Sequence, residues 1–321
     1  MEKVKESIIV TNEISGIRLD QASAKSFNRF SRSQLKGWIE SGYLTLDGKI
    51  AEPKTKVFEG QIINLNVDLE PIIPIEPENI PLDIIHQDTD FYIINKTSGL
   101  VIHPGAGNHS GTVQNGLLYL DPNQGVLPRA GIVHRLDKDT SGLIVVARNS
   151  ASYLSLINQI KDRTVTKIYS GICNNIPISG GKIEHPISRN PRDRLKMTVN
   201  NNGKPAKTFY KVIERFRAHS LLEIRIETGR THQIRVHLSY ENYPLLGDPI
   251  YGGRPILPIS PSNELKNSIS KLNRQALHAS QLSFIHPSSG KNVSFKSSLP
   301  KDISDMLEIL SRDKELFIHD N

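Results

Sequence analysis

The sequence predicts an α+β protein in which a small basic helical unit precedes a larger sheet-based domain. Three observations carry this. From Leu82 onward, apolar strand-like runs follow one another with few helices between them, which argues against a regular βαβ winding. Before that, residues 18–27 and 31–41 carry helical signals. The two parts are separated by LEPIIPIEPENIPLD, whose prolines at 71, 74, 77 and 81 disfavour helix and sheet alike. The expected boundaries are therefore residues 1–70, a stiff linker over 71–81, and residues 82–321.

Each element has a local reason. Ser31 and Gln34 have capping-box spacing, Leu35, Trp38 and Ile39 form an apolar stripe, and Gly42 stops that helix. Tyr43–Leu44–Thr45–Leu46 alternates like a strand, Asp47–Gly48 signals a type I′ turn, and residues 57–67 contain another strand. In the larger part, Tyr92 to Asn95, Leu143 to Ala147, Leu221 to Ile226, Ile234 to Leu238 and Gln281 to Ile285 read as strands. Helices are expected over Thr112 to Leu120, Ser150 to Lys161 and Ile303 to Leu310. Gly131–Ile132–Val133 also reads as a buried strand, so the polar segment HRLDKDT between it and Leu143 reads as a loop at the edge of the core.

Composition narrows the function. The chain has 321 residues, with 40 Lys+Arg against 33 Asp+Glu, a net charge of +7 that favours a polyanionic partner. Eight cations, Arg18, Lys25, Arg29, Arg32, Lys36, Lys49, Lys54 and Lys56, crowd the small N-terminal unit. The single Cys173 rules out an intramolecular disulfide and a Cys-rich zinc site, and fits a reducing cytoplasm. The N-terminal MEKVKESIIVTNE has no long apolar run, and no stretch approaches a membrane span, so neither a signal peptide nor a membrane partner is expected.

Two analogies for HRLDKDTSG fail on their own requirements. A kinase catalytic loop needs His-Arg-Asp contiguous, and Leu136 interrupts it. A calcium loop needs a bidentate Glu at its twelfth position, which here is the cation Arg148. Turn capping remains the favoured reading for Asp139. His103 and His109 lack ligand spacing, and no metal or nucleotide site is convincing.

For Asp137 a family resemblance decides. GIVHRLDKDTSGLIVVA resembles the signature of the RluA-type pseudouridine synthases, and four further motifs follow their order. INKTSGLVIHPGAG matches the family's N-K-P-x-G-L-x-x-H-P, with Thr97 where proline is usual; TVTKIYSGI carries its K-x-Y; ETGRTHQIRVHL with GDPIYGG and RQALHASQLSFIHPSSG complete the set. RLDQASAKSFNRFSRSQLKGWIESGYLTLDGK resembles the S4 RNA-binding domain. Together with PISRNP, the order is similar to the RluD subgroup, which modifies large-subunit ribosomal RNA.

The resemblance implies a mixed, mainly antiparallel sheet around a catalytic cleft, preceded by an S4 unit of the αL type. It implies isomerisation of uridine to pseudouridine with no cofactor, on ribosomal RNA or a precursor particle, by a chain expected to be monomeric. Asp137 would be the catalytic carboxylate, attacking C1′ or removing the C2′ proton, and Tyr169 the group against the base suited to the final loss of the C5 proton. Arg230 would pair with Asp137 and keep it ionised, while His232 and Arg235 would be strand or RNA-facing residues. Arg135 would enter the space vacated by a flipped base, His134 would orient the loop, and Arg18, Arg32 and Lys36 would contact RNA. A non-catalytic RNA-binding protein and a synthase acting on transfer RNA are the competing readings.

Overall fold

A computed structural model describes residues 2–69, 75–105 and 107–319. The chain divides into two compact units, Met1–Pro74 and Ile75–Asn321.

The first unit opens with β1 (Glu2–Ile9), followed by α1 (Leu19–Ser26), α2 (Arg32–Glu40), β2 (Leu44–Leu46) and β3 (Ile62–Leu69). The strands form an antiparallel sheet in the order β1-β3-β2. The capping box forms as its spacing predicts: Ser31 Oγ accepts from Gln34 N at 3.3 Å and Gln34 Oε1 accepts from Ser31 N at 3.0 Å. Asp47 and Gly48 both have positive φ, 50° and 74°, as the type I′ turn requires. Leu19, Leu35, Ile39, Leu44, Ile63 and Leu65 are fully buried between helices and sheet. Strand β1 goes unanticipated because KVKESII alternates charge more than hydrophobicity, and among its described residues only Val4 is buried in the core.

In the second unit, β4 (Ile84–Gln87) and β5 (Phe91–Lys96) precede α3 (Val113–Leu120), β6 (Ser141–Ala147), α4 (Ser150–Lys161) and β7 (Thr166–Asn174). Then come β8 (Gly181–Ile183), β9 (Ile187–Arg189), β10 (Met197–Val199), β11 (Thr208–Arg215), β12 (His219–Ile226) and α5 (Gln233–Tyr240). The chain closes with α6 (Asn263–Lys271), β13 (Leu277–Ile285), β14 (Asn292–Lys296) and α7 (Lys301–His319). Nine strands make one sheet in the order β4-β5-β6-β13-β7-β12-β11-β8, with β14 on β13; β9 and β10 form a separate hairpin. Among the described strands only β6 and β13 pair in parallel. Every residue of β6 is buried. Ile144 and Val146 enter one core with Leu117, Leu222 and Leu238, while Leu143, Val145 and Ala147 enter the other with Phe91, Leu156 and Phe284.

Three expectations change. Ile234 to Leu238 is helix α5, not a strand. All of Gln233 to Leu238 is buried, so no polar face marks the helical period. Gly131–Ile132–Val133 is not a strand either: Arg129 and Ala130 turn left-handed, and only Ile132 makes a bridge, to Val146. Of the expected linker, residues 71–74 lie outside the described residues. The rest is docked on the second unit, where Glu78 N donates to Asn115 O and Asn115 Nδ2 to Glu76 O. Among the described residues no helix is long and apolar enough to cross a membrane.

Candidate active site

The loop carrying Asp137 leaves the turn at Gly131 and enters β6, and almost every residue in it is tied down. Gly131 has φ +78°, and a Cβ there would lie 2.0 Å from Ala147 O, so only glycine fits. His134 Nε2 accepts from Val145 N at 3.0 Å, which requires a neutral ring; burial, with Lys167 adding repulsion, pushes its pKa down to about 3. Lys96 is fully buried beneath the loop and donates to the carbonyls of Thr97 (2.8 Å), Leu100 (2.9 Å) and Lys138 (2.8 Å). Arg274 Nη1 holds the Asp139 carbonyl at 3.1 Å, and Gln275 Nε2 donates to Thr140 Oγ1 at 3.0 Å. The N-K-T and R-Q segments are thus fasteners for one loop.

Asp137 projects from that loop with 18% of its side chain exposed. Its Oδ2 accepts from Arg235 Nη1 at 3.2 Å. Arg235 in turn donates to Asp248 through Nε (2.7 Å) and Nη2 (2.8 Å), and the Asp248 side chain is wholly buried. One guanidinium therefore bridges two carboxylates, with two of its N–H groups committed to Asp248 and an Nη1 N–H given to Asp137. Asp248 Oδ1 also accepts from the backbone of Ile250 and Tyr251, so the far end of the bridge is rigid.

Asp137 faces a cavity of about 460 Å³ whose lining includes Arg135, Leu136, Lys167, Tyr169, Arg230, His232 and Arg235. That volume lies within the usual range for small-molecule sites. Lys167 and Tyr169 alternate along β7 and so point to one face. Burial lowers the Lys167 ammonium to about 8. Burial and the nearby Asp137 raise the Tyr169 phenol well above its ordinary value, so the ring stays protonated.

The chain has named relatives along nearly its whole length. The chain is 44% identical over 315 residues to the ribosomal large subunit pseudouridine synthase D of Escherichia coli, covering 98% of this chain and 97% of that protein. It is 45% identical over 320 residues to the Haemophilus ducreyi protein of the same name, covering 98% of each. Residues 90–240 match the family model for RNA pseudouridylate synthase. The chain belongs to the RNA pseudouridylate synthase family. Among solved structures, human RNA pseudouridylate synthase domain containing 4 aligns with TM-score 0.55 and 27% identity, covering 71% of this chain and 92% of that one. Human RNA pseudouridylate synthase domain containing 1 gives 0.52 and 26%, covering 76% and 98%.

For this pseudouridylate synthase, the expected ion pair is corrected: the guanidinium on Asp137 belongs to Arg235, not Arg230. Arg230 precedes α5, lines the cavity and donates through Nε to Pro205 O at 3.2 Å. The physical reason is the helix. Because α5 begins at Gln233, Arg235 falls in its buried first turn, while Arg230 lies before the helix. A lone arginine within the apolar run Ile234–Leu238 was the available signal, since a buried cation requires a carboxylate. Arg135 is exposed and lines the cavity.

In the first unit, Arg18 and Arg32 both clasp Asp20, at 3.0 and 2.8 Å, and Lys36 lies 3.5 Å from Glu40. Burial would raise the Asp20 carboxyl, but hydrogen bonds from Arg32 and Arg18 bring it below its ordinary value. These cations organise their own unit while remaining about half exposed.

Proposed function

We propose that the protein isomerises uridine to pseudouridine in large-subunit ribosomal RNA, using Asp137 as the carboxylate that acts at the sugar. The observation that carries the reading is the Asp137–Arg235–Asp248 bridge at the cavity, together with full-length relatives named for the large ribosomal subunit. In this reaction the N1–C1′ bond breaks, the base turns, a C5–C1′ bond forms, the C5 proton leaves and N1 takes up a proton, so the product is an isomer of the substrate. Nothing is oxidised, reduced or hydrolysed, so the chemistry calls for no cofactor. A target base stacked in folded RNA must first leave its stack, which costs a few kcal/mol; Arg135, exposed beside the catalytic loop, is suited to fill the gap. Tyr169 then meets the base as a neutral ring, because its raised pKa disfavours a phenolate. Arg230, also at the cavity, is suited to a phosphate or base edge.

The N-terminal unit is read as an RNA-binding module that adds affinity through Arg18, Arg32 and Lys36. The whole is read as a monomer of a reducing, cytoplasmic environment, in keeping with the buried free thiol of Cys173.

Asp137→Asn keeps the shape and removes the charge and the reactive oxygen. The variant should fold, bind RNA and release no tritium from uridine labelled at C5. Tritium release near the wild-type rate would sink the assignment of Asp137. Pseudouridine mapping in a strain lacking the gene identifies the RNA class, and loss confined to transfer RNA would overturn the ribosomal reading.

A further inference from the structure

Two short segments far apart in the chain meet at one end of the sheet: HQDTD, residues 86–90, which leads into β5, and HPSSG, residues 286–290, which follows β13. Their two aspartates share one pattern. Asp88 Oδ1 accepts from the N–H groups of Asp90 (2.7 Å) and Phe91 (2.9 Å), and Asp90 Oδ1 accepts from Ser152 Oγ (2.7 Å) and Asn149 Nδ2 (3.2 Å). Each then turns its second oxygen toward the His286 ring: Asp88 Oδ2 lies 3.2 Å from Nε2, and Asp90 Oδ2 lies 3.4 Å from Nδ1. Asp88 Oδ2 also lies 3.2 Å from His86 Nε2. Asp90 is 4% exposed, and its Oδ2 is buried without a hydrogen bond.

The charges of this cluster do not cancel. Burial would raise both carboxyls, but their hydrogen bonds bring both below the ordinary value, so both are anionic at neutral pH. Among the described residues no lysine or arginine pairs with either; Arg148 donates to the Asp88 carbonyl, but its ion pair is with Asp121. His286 does not offer Asp90 a proton, because Nδ1 accepts from Ser288 N (3.3 Å) and Ser289 N (3.4 Å). A nitrogen lone pair therefore faces a buried carboxylate oxygen. Buried charges are paired or coordinate metals, and a cation shared by these two atoms would satisfy both. The spacing fits: ligands about 2.1 Å from a tetrahedral ion stand about 3.4 Å apart, as Asp90 Oδ2 and His286 Nδ1 do. Ligand atoms of Asp88, Asp90 and His286 all lie within 4.8 Å of one another, so Asp88 can supply the second carboxylate.

We propose that Asp88, Asp90 and His286 bind one divalent ion of the zinc class, and that this ion staples the turn before β5 to the end of β13. An imidazole with carboxylates suits zinc better than magnesium or calcium, which favour oxygen ligands alone. Phe91 packs against both imidazoles, at 5.4 Å from His86 and 5.3 Å from His286, and walls the site on its inner side. Asp88 and His286 stay partly exposed, which gives an ion its way in. The role is structural. Phe91 pairs with Ala147 and Lys96 with Gly142, so the cluster sits at the end of β6 remote from the catalytic loop. The isomerisation proposed above needs no such ion, and the two readings stand or fall separately. Local spacing in the sequence conceals the site because Asp88 and His286 are 198 residues apart.

The test is zinc binding by the full chain, free of any tag and first stripped with a chelator, read by titration calorimetry and thermal unfolding. One zinc ion per chain should bind. Zinc at about 100 times its dissociation constant should raise the melting temperature by about 5 °C or more, and magnesium at the same concentration should not. His286→Gln and Asp90→Asn should each weaken zinc binding about a hundredfold or more. His86→Gln removes only the support of Asp88 and should weaken it about tenfold. Melting each variant without zinc separates loss of the ion from loss of the fold. Should Asp90→Asn not fold, His286→Gln and His86→Gln, at partly exposed positions, still decide. A wild type that binds no zinc, or a folded His286→Gln that binds it as tightly as the wild type, would overturn the site. A melting temperature raised as far by magnesium as by zinc would overturn the assignment to the zinc class.

Discussion

Arg235 is the residue whose loss should be felt twice. Its side chain is 5% exposed and lies between an Asp248 side chain at 0% and an Asp137 side chain at 18%. Arg235→Met preserves much of the bulk but leaves both carboxylates without a counter-charge. Removing one partner of a buried pair costs about 3–5 kcal/mol. Asp137 can rehydrate from the cavity, so most of that cost falls on Asp248. Arg235→Lys is the gentler probe, since an ammonium cannot hold Asp248 with two N–H groups and reach Asp137 with a third. If the link to Asp137 is worth about 2–3 kcal/mol, as a hydrogen bond between ionised groups can be, orienting it less well should slow chemistry about 30- to 150-fold. Urea unfolding measures the first loss and C5 tritium release under single turnover the second. Arg230→Ala is the comparison, and on an accessible uridine it should cost less in saturating rate than Arg235→Lys. A near wild-type rate for Arg235→Lys beside a hundredfold loss for Arg230→Ala would refute the pairing as the catalytic one.

Three other outcomes are expected. Gly142 has φ +112°, and a Cβ there would meet Ala279 O at 2.4 Å and Ala279 N at 2.6 Å, so Gly142→Ala should lower stability by about 3 kcal/mol or more; an unchanged urea midpoint would contradict this. Burial holds His134 down to about 3 and His219 and His278 to about 4. The unfolded chain binds these protons near 6.5 and the folded chain does not, so stability should fall as pH drops from about 6.5 towards 4, and a urea midpoint as high at pH 5 as at pH 7.5 would count against it. The core around Leu35 and Ile63 lies wholly within the first unit, so deleting residues 1–70 should leave a soluble synthase. Its saturating rate should change less than its RNA affinity and salt slope, and unchanged affinity and slope would refute the targeting role.

Much of this molecule is legible from local signals. The helices at Ser31, Thr112 and Asn149 announce themselves because capping is settled within four residues. Strand β6 is legible because both its faces are buried, giving an unbroken β-branched run. Asp137 stands out as charge beside such a run. Arg235 and Asp248 do not, because their pairing spans 13 residues and depends on α5 being a helix. Helix α5 itself is hidden by burial on every side. The positions misread are those where long-range contacts, not the neighbouring chain, decide the backbone.

The parallel junction between β6 and β13 has a consequence for when the folded site comes into being. His278 and Ala279 sit opposite Ser141 and Gly142, more than a hundred residues earlier in the chain. The same late segment supplies Arg274 and Gln275 to the catalytic loop and lies between β6 and the strand that bears Tyr169. Pairings so distant in sequence form slowly, and during synthesis they must await the emergence of their second half. A nascent chain that has released Asp137, Tyr169 and Arg235 therefore holds the side chains of the cavity but not the segment that fastens the loop between them. Alignment of the site thus awaits insertion of the C-terminal segment.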